Sequence, residues 1–133
     1  MKTTNLLCVI DDDDIYKYAV KRAVKVNKLT NKIITFSNGE EALEFFIENL
    51  NKNENIPDVI FLDINMPIMD GFEFMEEYIK LKPSVGKKIT IYMVSSSIDE
   101  ADVKRAKNIS AISDYLLKPI MPKELANLIN GTK

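Results

Sequence analysis

The sequence predicts an α/β fold in which five parallel strands, each followed by a helix, form one doubly wound sheet, (βα)5. Short apolar runs alternate with stretches whose apolar residues recur at helical spacing, and no repeat or low-complexity tract interrupts the alternation. The apolar runs also end, one after another, in polar residues, as strands do where a sheet meets its ligand-binding loops.

The first strand is Leu6 to Ile10, LLCVI, and it runs straight into four carboxylates, Asp11 to Asp14. Tyr18, Ala19, Ala23 and Val26 follow Ile15 at three, four, eight and eleven residues, which predicts a first helix with this set on its buried face. Lys32 to Phe36 reads as an edge strand. Ser37 and Glu40 have capping-box spacing ahead of an apolar face of Ala42, Leu43, Phe46, Ile47 and Leu50, which predicts the second helix. After the polar loop NKNENIP, Asp58 to Leu62 reads as a strand buried on both faces, and Gly71 opens a third helix running to about Leu81. Ile89 to Val94 is the fourth strand. Ser97 and Glu100 repeat the capping-box spacing at the start of a mostly polar fourth helix, after which Tyr115 to Leu117 is a short fifth strand. Pro122 stands where a first helical residue belongs, with Leu125, Leu128 and Ile129 on one side of the last helix.

A chain of 133 residues, 46% hydrophobic and 29% charged, has material for one globular core and no room for a second. Its net charge of -2 leaves no basic excess, so neither nucleic acid nor an anionic membrane is an expected partner. The one cysteine, Cys8, sits inside an apolar run, which excludes disulfide frameworks and zinc clusters and fits a reducing cytoplasm. The N-terminal residues read as neither a signal peptide nor a membrane span. Histidine is absent, which removes a Ser-His-Asp triad, a histidine base and a phosphohistidine carried on this chain.

In a doubly wound sheet, ligands bind at the carboxyl ends of the strands near a topological switch point. Those ends carry Asp11 and Asp12 after strand one, Asp63 after strand three, Ser95 after strand four, and Lys118 with Pro119 after strand five. Each has an ordinary structural explanation, since Asp and Ser cap helices and Lys decorates surfaces, but four strand ends agree.

The segments CVIDDDD, PDVIFLDINMPIMDGFEF, IYMVSSS and DYLLKPI, in that order, resemble the receiver domains of two-component response regulators, and the resemblance covers essentially the whole chain. It implies a flavodoxin-like strand order 2-1-3-4-5 and a single receiver domain over residues 1–133 with no output domain. It also implies Asp63 as the phosphoacceptor, Asp11 and Asp12 as the acidic pair, Ser95 as the conserved hydroxyl, Lys118 as the conserved lysine and Tyr115 as the switch aromatic. The backbone carbonyl of Asn65 is implied as a metal ligand, the residues Asn65 and Ser97 as those that tune the phosphoryl lifetime, and Lys118-Pro119 as a cis peptide. Asp13 and Asp14 have no counterpart role and read as first-turn residues favoured by the helix dipole.

The chemistry of the residues agrees with that resemblance. Asp11, Asp12 and Asp63 carry three negative charges and Lys118 returns one, so the remaining -2 matches a divalent cation. An all-oxygen set with room for water and a phosphoryl oxygen suits Mg2+, with Mn2+ as a substitute; Asp12 and Asp63 read as direct ligands and Asp11 as one acting through water. Phosphoryl transfer depends mainly on positioning and charge neutralisation, so an ionised aspartate suffices and a chain without histidine is able to accept a phosphoryl group from phosphohistidine on another protein.

The expected function is therefore a cytoplasmic signalling phosphoacceptor that catalyses only its own phosphorylation and dephosphorylation. Its expected partners are a sensor histidine kinase or phosphotransfer protein and a downstream protein on the face made by helix four, strand five and helix five; its expected state is a monomer or a weak phosphorylation-linked dimer. A relay intermediate and an interaction module independent of phosphorylation are the alternatives. A haloacid-dehalogenase-type phosphatase needs a second carboxylate where Asn65 stands, and a flavodoxin-like electron carrier needs a phosphate loop where the aspartates stand. The segment AKNISAISDY lacks the glycine that many receiver domains carry between helix four and strand five, which predicts a longer or differently angled exit from that helix.

Overall fold

The computed structural model describes residues 6–30, 32–96, 99–118 and 120–129. Strands β1 (Leu6–Ile10), β2 (Lys32–Phe36), β3 (Val59–Leu62), β4 (Thr90–Ser95) and β5 (Ile112–Leu117) form one parallel sheet in the order β2-β1-β3-β4-β5. The helices are α1 (Asp14–Val26), α2 (Gly39–Glu48), α3 (Gly71–Leu81), α4 (Glu100–Lys107) and α5 (Pro122–Ile129). This is the expected flavodoxin-like architecture. Every residue of β1 and β3 is buried, which is why both read as continuous apolar runs, whereas the edge strands β2 and β5 keep exposed polar positions.

Alternate strand residues feed two cores. Cys8, Ile10, Ile60, Leu62, Ile91 and Met93 pack with α2 and α3, where the rings of Phe46, Phe74 and Tyr78 meet pairwise at 6.0 to 6.2 Å. Leu7, Val9, Val59, Phe61 and Val94 pack with Val20 and Val24 of α1 and Leu125 and Ile129 of α5. Each fully buried side chain of this kind contributes about 1.5 to 3 kcal/mol. Among the described residues, no helix is long and apolar enough to cross a membrane.

The predicted inner face of α1 is not the one that is buried. Ile15, Tyr18 and Val26 are 82%, 64% and 67% exposed, while Lys17, Val20 and Val24 are buried and Ala23 is partly so. Two polar anchors account for the rotation. Asp13 caps the helix, its Oδ1 accepting from the Ile15 and Tyr16 N–H groups at 3.0 and 3.1 Å. Lys17 turns inward so that its Nζ donates to Ser37 Oγ at 3.0 Å, and its aliphatic stem takes the place of an apolar residue.

Two predicted caps also move. At α2 the cap is Asn38, not Ser37: Asn38 Oδ1 accepts from Glu41 N–H and Glu41 Oε1 accepts from Ser37 N–H, so a reciprocal pair forms one residue later than expected. At α4 the cap is Asp99, which accepts from Ala101 N–H at 2.9 Å.

Strand β5 begins at Ile112, earlier than the short strand predicted, and its pairing with β4 contains a bulge. Ile91 pairs with Ile112 but Tyr92 pairs with Asp114, leaving Ser113 as the extra residue. The missing glycine is managed by an asparagine: Asn108 keeps a right-handed backbone and donates to the carbonyls of Lys104 and Arg105 at 3.1 and 3.2 Å.

Candidate functional site

The Asp63 N–H donates to the Ile10 carbonyl at 2.9 Å, which carries the β1-β3 ladder one step past the strands and sets Asp11 and Asp63 side by side. Both are buried, Asp11 at 1% and Asp63 at 7% exposure, while Asp12 is exposed. One carboxylate oxygen from each of Asp11, Asp12 and Asp63 lies within 4.8 Å of the others. The Lys118 N–H donates to the Ser95 carbonyl at 3.0 Å and extends the β4-β5 ladder in the same way. Its Nζ then reaches 2.7 Å from Asp11 Oδ2 and 3.8 Å from Asp63 Oδ1.

Position within the tetrad Asp11 to Asp14 decides what each carboxylate does. Asp11 is committed on both oxygens, with Oδ1 accepting from Asp13 N–H at 2.9 Å and Oδ2 paired to Lys118. Asp13 caps α1, and Asp14 lies in the first turn 3.3 Å from Lys17 Nζ. Four adjacent charges are thus divided between the cluster and the helix N-terminus.

Lys118 does not neutralise the cluster. Burial, and then the neighbouring charge of Asp11, push the Asp63 carboxyl up to about 6 against the pull of Lys118 and a backbone hydrogen bond from Ile64. Excess negative charge among oxygen donors is the chemistry a hard divalent cation fits, and the residues here suit Mg2+.

The loop after Asp63 is shaped by two backbone requirements. The Gly71 N–H donates to the Ile64 carbonyl at 2.8 Å, and a Cβ on Gly71 would overlap the Asp63 carbonyl oxygen, so only glycine lets α3 start this close to the acidic cluster. Between them Met69 N–H donates to the Pro67 carbonyl at 2.7 Å across Ile68, whose φ of 70° makes this a tight γ-turn. Asn65, exposed, precedes that turn.

Ser95 ends β4 at 1% exposure, on the strand face shared with Met93. Tyr115 pairs with Met93 and Leu117 with Ser95, so Tyr115 sits two residues back along β5, half-buried against the α3 side of the core. It lines a recess with Ala106, Lys107, Ile112, Ser113 and Asp114. Ser97 and Pro119 lie outside the described residues.

Sequence reasoning missed Tyr16. Its ring centroid is 4.5 Å from Lys118 Nζ, and its hydroxyl is buried with no hydrogen-bond partner among the described residues. The available signal was its position four residues after Asp12, one helical turn onward.

The response regulator receiver domain family matches residues 7–130 of the chain. A probable transcriptional regulator, ycf27 of Guillardia theta, is 30% identical over 125 residues, a match that covers 94% of this chain but 44% of that protein. A crystal structure of a two-component response regulator from Cytophaga hutchinsonii superposes with a TM-score of 0.84 at 26% identity, covering 97% of this chain and 96% of that one. The Mn2+-bound form of response regulator Rcp1 superposes with a TM-score of 0.73 at 25% identity, over 96% of this chain and 90% of that one.

Proposed function

The chain belongs to the response regulator receiver domains, and from that premise we propose that it accepts a phosphoryl group on Asp63 from a phosphohistidine of a sensor histidine kinase or phosphotransfer protein. The observation that carries this reading is the grouping of Asp63 with Asp11, Asp12 and Lys118 at adjacent strand ends. An Asp63 carboxylate oxygen attacks phosphorus, the P–N bond of the donor breaks, its electron pair returns to the imidazole, and an acyl phosphate forms. No general base on this chain is needed, because the Asp63 carboxyl loses its proton near pH 6.

Asp12, Asp63 and the Asn65 carbonyl would hold Mg2+, or Mn2+ in its place, with Asp11 contributing through water since its own oxygens are already engaged. Bound there, the ion supplies neutralisation of charge on the transferring group. Lys118 shifts from Asp11 toward a phosphoryl oxygen, and the Ser95 hydroxyl donates to another. Asn65 and Ser97 tune the lifetime of the acyl phosphate.

Output follows from the same serine. Drawing Ser95 toward a phosphoryl oxygen vacates space beside β5, into which the Tyr115 ring turns, favouring a rearranged α4-β5-α5 face for a downstream protein. The free thiol of Cys8, fully buried in β1, suits a cytoplasmic setting.

Incubation with acetyl phosphate and Mg2+, followed by intact mass, is expected to yield a single phosphoryl adduct that is lost without the metal and lost in Asp63→Asn. An adduct retained at normal yield in that variant overturns the assignment.

A further inference from the structure

Among the described residues the Lys118 ammonium meets Asp11 at 2.7 Å, Asp63 at 3.8 Å and the π face of Tyr16 at 4.5 Å. Only the first two are explained by the acidic cluster. The Tyr16 hydroxyl has no hydrogen-bond partner among the described residues, so the contact that ties this residue to the site is its ring. That ring is packed against the core between the sheet, α1 and α5. Burial, with Asp11 and Asp63 adding to it, pushes the phenol up, so Tyr16 stays neutral and offers Lys118 a π face and no competing anion.

In the phosphoacceptor reading, on which this inference rests, Lys118 must loosen its short ion pair with Asp11 and meet an incoming phosphoryl oxygen. A third carboxylate beside the ammonium would hold it back, and an aliphatic side chain would leave that flank without attraction. An aromatic face attracts a cation without consuming its N–H donors, of which an ammonium has three. We propose that Tyr16 is a positioning residue for phosphoryl transfer, its ring holding the Lys118 ammonium beside Asp63 while the ammonium exchanges Asp11 for the phosphoryl group.

The test is the rate of phosphorylation by acetyl phosphate at saturating Mg2+ in wild type, Tyr16→Phe, Tyr16→Leu and Tyr16→Met, with Mg2+ affinity measured alongside as the readout of an intact site. Tyr16→Leu and Tyr16→Met are expected to slow transfer about tenfold, with Tyr16→Phe within about twofold of wild type and Mg2+ affinity within about twofold throughout. In a Lys118→Ala background the effect of Tyr16→Leu should shrink to under about twofold, as a double-mutant cycle requires of a direct pair. The proposal is overturned if both aliphatic variants match wild type, if Tyr16→Phe is as slow as they are, if Mg2+ affinity falls with the rate, or if the loss persists undiminished without Lys118. A wild-type protein that takes up no phosphoryl group defeats the phosphoacceptor reading itself, whereas normal labelling of both wild type and Tyr16→Leu defeats only the role of Tyr16.

Discussion

Helices α3 and α4 follow successive strands at the same end of the sheet, yet they are held to the molecule very differently. Helix α3 buries Gly71, Phe72, Phe74, Met75 and Tyr78, and its first turn is pinned by a capping box in which Asp70 and Glu73 exchange bonds of 2.8 and 3.0 Å. Helix α4 buries Ala106 alone. The loop leading to α3 carries the carboxylate that would be modified, and the loop leading to α4 follows the serine that would respond. A fixed acceptor beside a loosely held helix is the arrangement in which a small displacement at one strand end is able to move a surface, because few apolar contacts oppose the movement.

The largest expected effect measures that asymmetry directly. Phe74→Ala should lower unfolding free energy by about 4 kcal/mol, whereas Ala106→Gly should cost about 1 kcal/mol, mostly in helix propensity. Chemical denaturation with matched slopes decides the matter, and similar losses from the two variants would break the comparison.

The next effect probes the charge held in the fixed half. Since the Asp63 carboxyl is raised to about 6 in the folded protein, the folded state keeps a proton that the unfolded state has already released. Stability of the metal-free protein should therefore fall as pH rises from about 4 to about 6, by about 3 kcal/mol from this group, and level off above. Asp63→Asn should abolish that decline and Mg2+ should restore stability at neutral pH; urea titrations in chelator across the range would show a flat profile if the cluster were not strained by its own charge.

The smallest effect sharpens the comparison within the aspartate run. Asp12→Asn should weaken Mg2+ binding more than tenfold, about 1.4 kcal/mol, and Asp14→Asn should leave it nearly unchanged. Equal losses in a metal titration would erase the distinction between cluster and helix-turn carboxylates.

The sequence made the sheet legible because β1, β2 and β3 are apolar runs stopped by charge or turn residues, and the strand-end list of Asp11, Asp12, Asp63, Ser95 and Lys118 followed from it. The inner face of α1 was not legible. A count of apolar residues favours Ile15 and Tyr18, but rotation about a helix axis is settled by tertiary anchors, here the Asp13 cap and the inward reach of Lys17 to Ser37. The caps failed for a related reason: Ser37 and Asn38 are both competent, and the choice depends on where the chain must turn, with the Gly39 N–H donating to the Met69 carbonyl at 2.9 Å. Tyr16 was missed because its position one turn after Asp12 brings it near the acidic cluster without linking it to a lysine about a hundred residues later.

The bulge at Ser113 has a consequence in simple counting. Ile112 and Tyr115 lie three residues apart, an odd interval, yet both pack against the same core, and Asp114 lies beside Tyr92. In an unbroken strand the odd interval would send them to opposite sides. The spare residue restores parity, so that Tyr115 shares the side of Met93 and Ser95. Forcing Ser113 into the ladder opposite Tyr92 while the Ile91 to Ile112 pairing stayed in place would act on β5 as a frameshift acts on a reading frame: every later side chain would be present, in order, and on the wrong side.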